Sequence, residues 1–320
     1  MILTFDVSFT QLWQHITHAG YWLVAILVLW GVLYLMNAWS WQIIIKGSGD
    51  CPVPFWRIAK VTITGFALNY ATPVGLLGGE PYKIMEFTPF IGAQRASSSV
   101  VLFAMMHIFS HFWYWVSSII LYLILALIGA APMTVPMTVI LVLMALFCGG
   151  GIYLFVKGYK NGMVRKLFKL IAHIPGLKRW SARYATEHAE DLRKIDEQIA
   201  SLHSQNKRSF YLSFALEYIG RASQSFEIMF MLILFGAGSF DVHTFVNAFV
   251  ILAFTSLFAN LLFFLPLQLG GREGGFAMTI SQLGMTNNIG IFVSLMCRVR
   301  EIFWTAIGLL LMKVGNGKAK

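Results

Sequence analysis

Phe66-Ala67-Leu68-Asn69-Tyr-Ala-Thr-Pro73-Val-Gly-Leu-Leu77-Gly78-Gly79-Glu80 is echoed late in the chain by Phe258-Ala259-Asn260-Leu-Leu-Phe-Phe-Leu-Pro266-Leu-Gln-Leu269-Gly270-Gly271-Arg272-Glu273. In both stretches a proline is followed seven residues later by a glutamate, with Leu-Gly-Gly between them. Each is led in by Phe-Ala and an asparagine. Proline lacks an N–H and ends an incoming helix. A glycine pair permits unwound backbone, which membrane depth tolerates only where protein or water surrounds it. The outgoing half-helix then begins near Glu80 or Glu273, with its dipole end and free N–H groups suited to an anion. A plainer alternative is that Gly and Pro only kink ordinary spans. The same glutamate offset, twice, favours paired elements.

The surrounding chain is that of a membrane protein. Of its 320 residues, 58% are hydrophobic and 12% charged, against about 25% charged in soluble domains. Nearly uncharged runs cover 21–45, 97–128, 135–156, 210–235 and 289–312. Each is long enough to cross a bilayer. These runs exclude a soluble helical protein. The net charge of +10 sits largely in one hydrophilic segment, and no nucleic-acid motif accompanies it. It therefore reads as topology and contact with anionic headgroups. Cys51, Cys148 and Cys297 have no metal-ligand or disulfide spacing, and neither a metal nor a cofactor is expected. No cleavable signal peptide is expected at residues 1–20.

Segment 157–208 holds twelve Lys/Arg and five Asp/Glu, so it is expected in the cytoplasm, as is the C-terminus with Lys313, Lys318 and Lys320. Residues 181–205 read as a polar surface helix. Counting crossings between inside segments leaves 58–95 entering and leaving on one face and 245–286 on the other. The expected fold is all-α: about five full spans plus two broken re-entrant elements, in a single integral membrane domain over 1–320. Its first repeat covers about 21–156, a cytoplasmic connector 157–209, and a second, inverted repeat about 210–313. Inverted repeats with broken helices meeting near the midplane are a common transporter architecture.

Ionisable residues inside spans mark functional positions. Glu217, Arg221 and Glu227 lie in the 210–235 run, and Arg298, Arg300 and Glu301 in the last one. Glu217 and Arg221 share a helix face, and they suit a packing ion pair or a substrate contact equally. Arg298 and Arg300 point in different directions, so only one is expected to pair with Glu301, leaving a guanidinium for a phosphate. His107 and His111, four apart, read as hydrogen-bonding core residues rather than metal ligands. Candidate substrate-binding residues are Gly78, Gly79, Glu80, Lys83, Glu217, Arg221, Gly270, Gly271, Arg272, Glu273 and Arg298; no catalytic residue is assigned.

These motifs resemble the lysylphosphatidylglycerol synthase transmembrane-region family, the flippase-like domain of the multiple peptide resistance factors and its stand-alone relatives. The resemblance rests on Pro73 through Gly79-Glu80-Pro81-Tyr82-Lys83 and, more closely, Pro266 through Gly271-Arg272-Glu273-Gly274, with Arg298 similar to an arginine of the family's last helix. Lys83 stands where the family often has arginine. His107 and His111 occupy a region where it often has an Asp-Arg pair. No aminoacyl-transferase domain follows in this sequence, so the resemblance implies the membrane half alone: a flippase or scramblase-like carrier of a phospholipid or polyprenyl-linked lipid in the cell (inner) membrane, with a homo-oligomer allowed. Two other readings stay open at this point, a membrane-embedded enzyme of lipid-linked sugar or phospholipid headgroup metabolism and a non-transporting lipid-binding partner protein. No nucleotide-binding loop is present, so transport would be driven by a gradient or run downhill.

Overall fold

The computed structural model describes residues 9–72, 78–160, 186, 189, 190, 192, 193, 196, 197, 207–261 and 270–314. The helix-breaking Pro73 and Pro266, and most of the expected surface helix 181–205, lie outside the described residues. So do Lys318 and Lys320. Every element among the described residues is a helix. In chain order they are α1 (Phe9–Gly47), α2 (Phe55–Ala71), α3 (Gly79–Ile91), α4 (Ala93–Leu127), α5 (Val135–Lys160), α6 (Lys207–Ser223), α7 (Ser225–Leu234), α8 (Val242–Leu261), α9 (Gly271–Gln282) and α10 (Asn287–Lys313). The protein is a polytopic helical membrane protein.

Four stretches are long and apolar enough to cross a membrane: Gly20–Gly47, Ala93–Leu127, Val135–Lys157 and Val242–Leu261. The first starts at Gly20, where non-helical torsions (φ 43°, ψ −122°) break α1. The expected span 210–235 is two helices, α6 and α7, parted at Gln224. That run and the last one carry buried charges, so hydropathy alone does not single them out. Along α5, Val139, Leu143, Leu146 and Leu154 are exposed. In lipid this is no penalty, since acyl chains solvate leucine as well as a protein core does.

Both expected breaks fall between helices that pack on each other. Helix α2 packs on α3, and α8 on α9. Helix α9 has 12 residues, roughly 18 Å at 1.5 Å per residue, too short to span the hydrocarbon. Helix α8, with 20 residues, reaches about 30 Å and is long enough to cross alone.

The chain divides into two compact units. One comprises Met1–Leu33, Ser117–Met137 and Ala222–Trp304. Its core joins Ile26 of α1, Leu232 of α7, Ile251 of α8, Phe276 of α9 and Met296 of α10. The other comprises Tyr34–Val116, Thr138–Arg221 and Thr305–Lys320. Its core joins Trp41 of α1, Ile58 of α2, Phe87 of α3, Phe103 of α4 and Phe155 of α5. Trp41 packs on Phe87 with ring centroids 4.5 Å apart and donates to Ser99 Oγ at 3.2 Å.

Helix contacts within each unit depend on glycine, as expected where close backbone approach replaces the hydrophobic effect. A Cβ on Gly79 would overlap the carbonyl of Gly65, so α2 and α3 cross backbone to backbone. A Cβ on Gly290 of α10 would lie 2.8 Å from Ala277 Cα of α9. The two Gly-Gly pairs at the breaks are needed for different reasons. Gly78 has ordinary helical torsions, but a Cβ there would overlap Thr72. Gly270 has open space around it but a φ of 82°, which a residue with a Cβ adopts only with strain.

Candidate functional site

Each unit holds one buried cluster of charge beside its helix break. In the unit containing α7–α9, the break ends at Gly270, whose N–H donates to Glu273 Oε2 at 2.8 Å. A first-turn glutamate closing back on the cap residue is half of a capping box. Its other oxygen, Oε1, accepts from Arg298 Nη2 at 3.4 Å. Arg298 Nη1 reaches Glu301 Oε2 at 3.2 Å, three residues along α10. Arg272 Nη1 bonds Glu301 Oε1, and Arg300 Nη1 lies 3.7 Å from the same oxygen. Three guanidinium groups thus surround one carboxylate.

Arg300 is also tied elsewhere. Its Nε and Nη2 grip Glu227 of α7 side-on, at 2.9 and 3.2 Å. Trp30 of α1 donates its indole N–H to Glu227 Oε2 at 2.9 Å and lies face-on to the Arg300 guanidinium at 3.7 Å. Both charges are almost fully buried. The cluster contains three arginines and three glutamates and is neutral overall. This corrects the expectation that Arg298 or Arg300 keeps a free guanidinium. A carboxylate has two oxygens and several lone pairs, so Glu301 takes both arginines. Glu227, from another helix, supplies the second anion that Arg300 needs.

In the other unit, Glu80 lies in the first turn of α3 and Lys83 one turn on. Lys83 Nζ donates to Glu80 Oε1 at 3.0 Å and sits over the rings of Phe66 and Phe103, 5.1 and 5.0 Å from their centroids. Buried ammonium groups are commonly held this way, by a carboxylate and aromatic faces. The tip of α3 is already occupied: Gly79 N–H donates to Asn69 Oδ1 at 2.7 Å, joining the two sides of the break.

Behind those rings, Glu217 and Arg221 of α6 do not pair directly. His107 of α4 contacts both: its Nδ1 is 2.9 Å from Glu217 Oε2, and Arg221 Nη2 lies 2.9 Å from its Nε2 and 3.5 Å from its Nδ1. An ionised carboxylate only accepts, so the ring proton is on Nδ1, directed at Glu217, and Nε2 is the nitrogen left to accept from Arg221. His111 Nδ1 donates to the His107 carbonyl at 3.0 Å. Glu217 Oε1 and Arg221 Nε are buried without a hydrogen-bond partner among the described residues. Among the described residues, no group of three or more His, Cys, Asp or Glu side chains is placed to hold a metal ion.

Arg272, Glu273 and Arg298 are therefore in one cluster, and Glu80, Lys83, Glu217 and Arg221 are in or beside the other. Gly78, Gly79, Gly270 and Gly271 shape the breaks. His107 hydrogen-bonds in the core, as the sequence reading expects, but nothing in the sequence names Glu217 and Arg221 as its partners. Trp30 has no signal in the sequence beyond its place in a long apolar run.

The family model for the lysylphosphatidylglycerol synthase transmembrane region matches residues 1–308. The chain belongs to this family. No curated protein and no solved structure matches it. The match to the lysylphosphatidylglycerol synthase transmembrane region takes in every residue of both clusters, since the last of them is Glu301.

Proposed function

We propose that this protein carries a phosphate-bearing lipid headgroup, of a phospholipid or a polyprenyl-linked lipid, across the cell membrane. The observation that carries this reading is the Glu301 carboxylate ringed by Arg272, Arg298 and Arg300. Three guanidiniums around one monoanion suit a phosphate diester, which offers two oxygens to arginine forks. Glu301 is then the resident counter-ion that a headgroup displaces. Such an exchange keeps the arginines compensated at every stage, which a low-dielectric setting demands. Family membership supports a lipid as the ligand.

The pairing of α2 with α3 and of α8 with α9 around glycine-rich breaks supports two re-entrant elements in an inverted repeat. The basic connector 157–209 and the C-terminus face the cytoplasm in this reading. In this reading the candidate headgroup contacts are Glu80, Lys83, Glu217 and Arg221 in one unit and Arg272, Glu273 and Arg298 in the other, each set beside a break shaped by Gly78 and Gly79 or by Gly270 and Gly271.

The test is reconstitution into liposomes carrying a fluorescent phospholipid, with a membrane-impermeant quencher added outside. The expected result is rapid quenching of both leaflets with the wild type and a loss of about tenfold or more in rate with Arg272→Ala. Equal inner-leaflet protection in wild-type, Arg272→Ala and protein-free vesicles would overturn the reading.

A further inference from the structure

We propose that His107 is a proton-binding site coupled to an anion site on Arg221, so that one proton and one phosphate monoanion bind together. The starting observation is a half-used guanidinium edge. The Nε and Nη2 hydrogens of arginine lie on one side and act as a two-toothed fork. Arg300 uses this edge to hold both oxygens of Glu227, at 2.9 and 3.2 Å. On Arg221 the same edge has Nη2 on His107 Nε2 at 2.9 Å, while Nε is buried with no acceptor among the described residues. One tooth is capped by an imidazole and the other is empty.

Protonation of Nε2 reverses its role. An acceptor becomes a donor, and two cationic N–H groups cannot share the contact, so Arg221 Nη2 must release. Nδ1 stays on Glu217 Oε2, now as half of an ion pair, and Glu217 Oε1, also unpartnered among the described residues, remains beside it. The released fork then presents Nε and Nη2 together, the geometry that accepts two oxygens of a phosphate. Charge balances throughout. Glu80, Lys83, Glu217 and Arg221 sum to zero, the proton adds one positive charge and the phosphate monoanion removes it. The one covalent change is the Nε2–H bond formed with the incoming proton; every other change is in hydrogen bonds.

The groups that face this relay come from each neighbouring element: Tyr70 of α2, Glu80 and Lys83 of α3, His111 and Tyr114 of α4, and Glu217 and Arg221 of α6. Glu80 holds Lys83 at 3.0 Å, so that ammonium is compensated before the proton arrives. Glu217 is the carboxylate in direct contact with His107.

The identity of the anion as a lipid headgroup rests on the transport reading above, whereas the proton coupling rests on the Glu217–His107–Arg221 geometry. The experiment is proton uptake by the detergent-solubilised full chain in weak buffer, reported by a pH dye, on addition of a short-chain phosphatidylglycerol. Inorganic phosphate is the second probe. We expect close to one proton taken up per anion bound, and an affinity that falls about tenfold per pH unit where the proton must be co-bound. His107→Gln, whose amide can accept from Arg221 and donate to Glu217 but cannot take a proton, should keep the fork capped and show neither anion binding nor proton uptake; binding by this variant at wild-type affinity overturns the proposal. If that variant does not fold, the wild-type proton count decides.

In the wild type, binding without proton uptake, binding independent of pH, or no binding of either anion overturns the proposal. Uptake with inorganic phosphate but not with the lipid supports the coupling and assigns the anion as free phosphate. Lipid flux in vesicles without proton uptake sinks the coupling and leaves transport standing. Proton-coupled binding without flux does the reverse.

Discussion

Replacing Glu227 by glutamine tests the buried pair that anchors the last helix. Glu227 accepts from Arg300 Nε at 2.9 Å, from Arg300 Nη2 at 3.2 Å and from the Trp30 indole at 2.9 Å. Its amide isostere retains the volume and one oxygen but loses the charge, and its NH2 group faces a donor. The Arg300 side chain is only 2% exposed, so water cannot take over. Its remaining anion is Glu301, at 3.7 Å, which already serves Arg272 and Arg298. Breaking a buried pair from one side costs about 3–5 kcal/mol. The midpoint, about 4 kcal/mol, is roughly a thousandfold in the folding equilibrium. The double variant Glu227→Leu/Arg300→Met removes both charges at similar volume and should return to within about 1.5 kcal/mol of wild type. Denaturant titration in mixed micelles, followed by far-ultraviolet circular dichroism, measures both. A single variant within about 1 kcal/mol of wild type, or a double variant as damaged as the single, would refute the reasoning.

Three further outcomes are expected. Glu301→Gln leaves the arginine ring with a net positive charge, so short-chain phosphatidylglycerol should bind about tenfold tighter by calorimetry while vesicle flux slows, because release becomes limiting; unchanged affinity would argue against Glu301 as a displaceable counter-ion. Gly79→Ala drives a methyl into the Gly65 carbonyl and should lower stability by about 3 kcal/mol or more, seen as a fall in melting temperature, whereas Gly270→Ala meets only torsional strain of about 1–2 kcal/mol. Asp241, outside the spans at the start of α8, accepts from Ser239 Oγ and from the Thr244 N–H at 2.7 Å, and these bonds hold its pKa below the usual carboxylate value. Its contribution is therefore complete above about pH 4, the unfolded value, and is lost as pH falls through the depressed folded value. The protection factor of the Thr244 amide, the observed exchange rate divided into the intrinsic rate at the same pH, should fall on acidification in wild type and be low already at neutral pH in Asp241→Ala.

Much of the fold is legible because a bilayer leaves few choices. Runs of apolar residues must be helical, since no water is present to satisfy the backbone. The starts of α3 at Gly79 and α9 at Gly271 follow from the glycine pairs and the glutamates behind them. The parting of α6 from α7 at Gln224 was not legible, because the run is apolar on both sides and Gln224 itself keeps helical torsions. The candidate site was legible as a set of residue types and not as a set of pairs. An arginine within a span announces itself by its cost in lipid, but its partner is chosen across helices.

The sequence by itself determined that this is a helical membrane protein, that helices start after its two Gly-Gly pairs, and which charged residues it must bury, because periodicity, length and solvation cost act locally along the chain. Only the tertiary structure decided who meets whom. It put His107 in contact with both Glu217 and Arg221, which helical spacing alone would have paired. It gave Arg300 to Glu227 and Trp30, and it gathered three arginines on Glu301. Those choices depend on distances between helices set by glycine contacts such as Gly65 with Gly79. A pattern along one chain carries no measure of that separation.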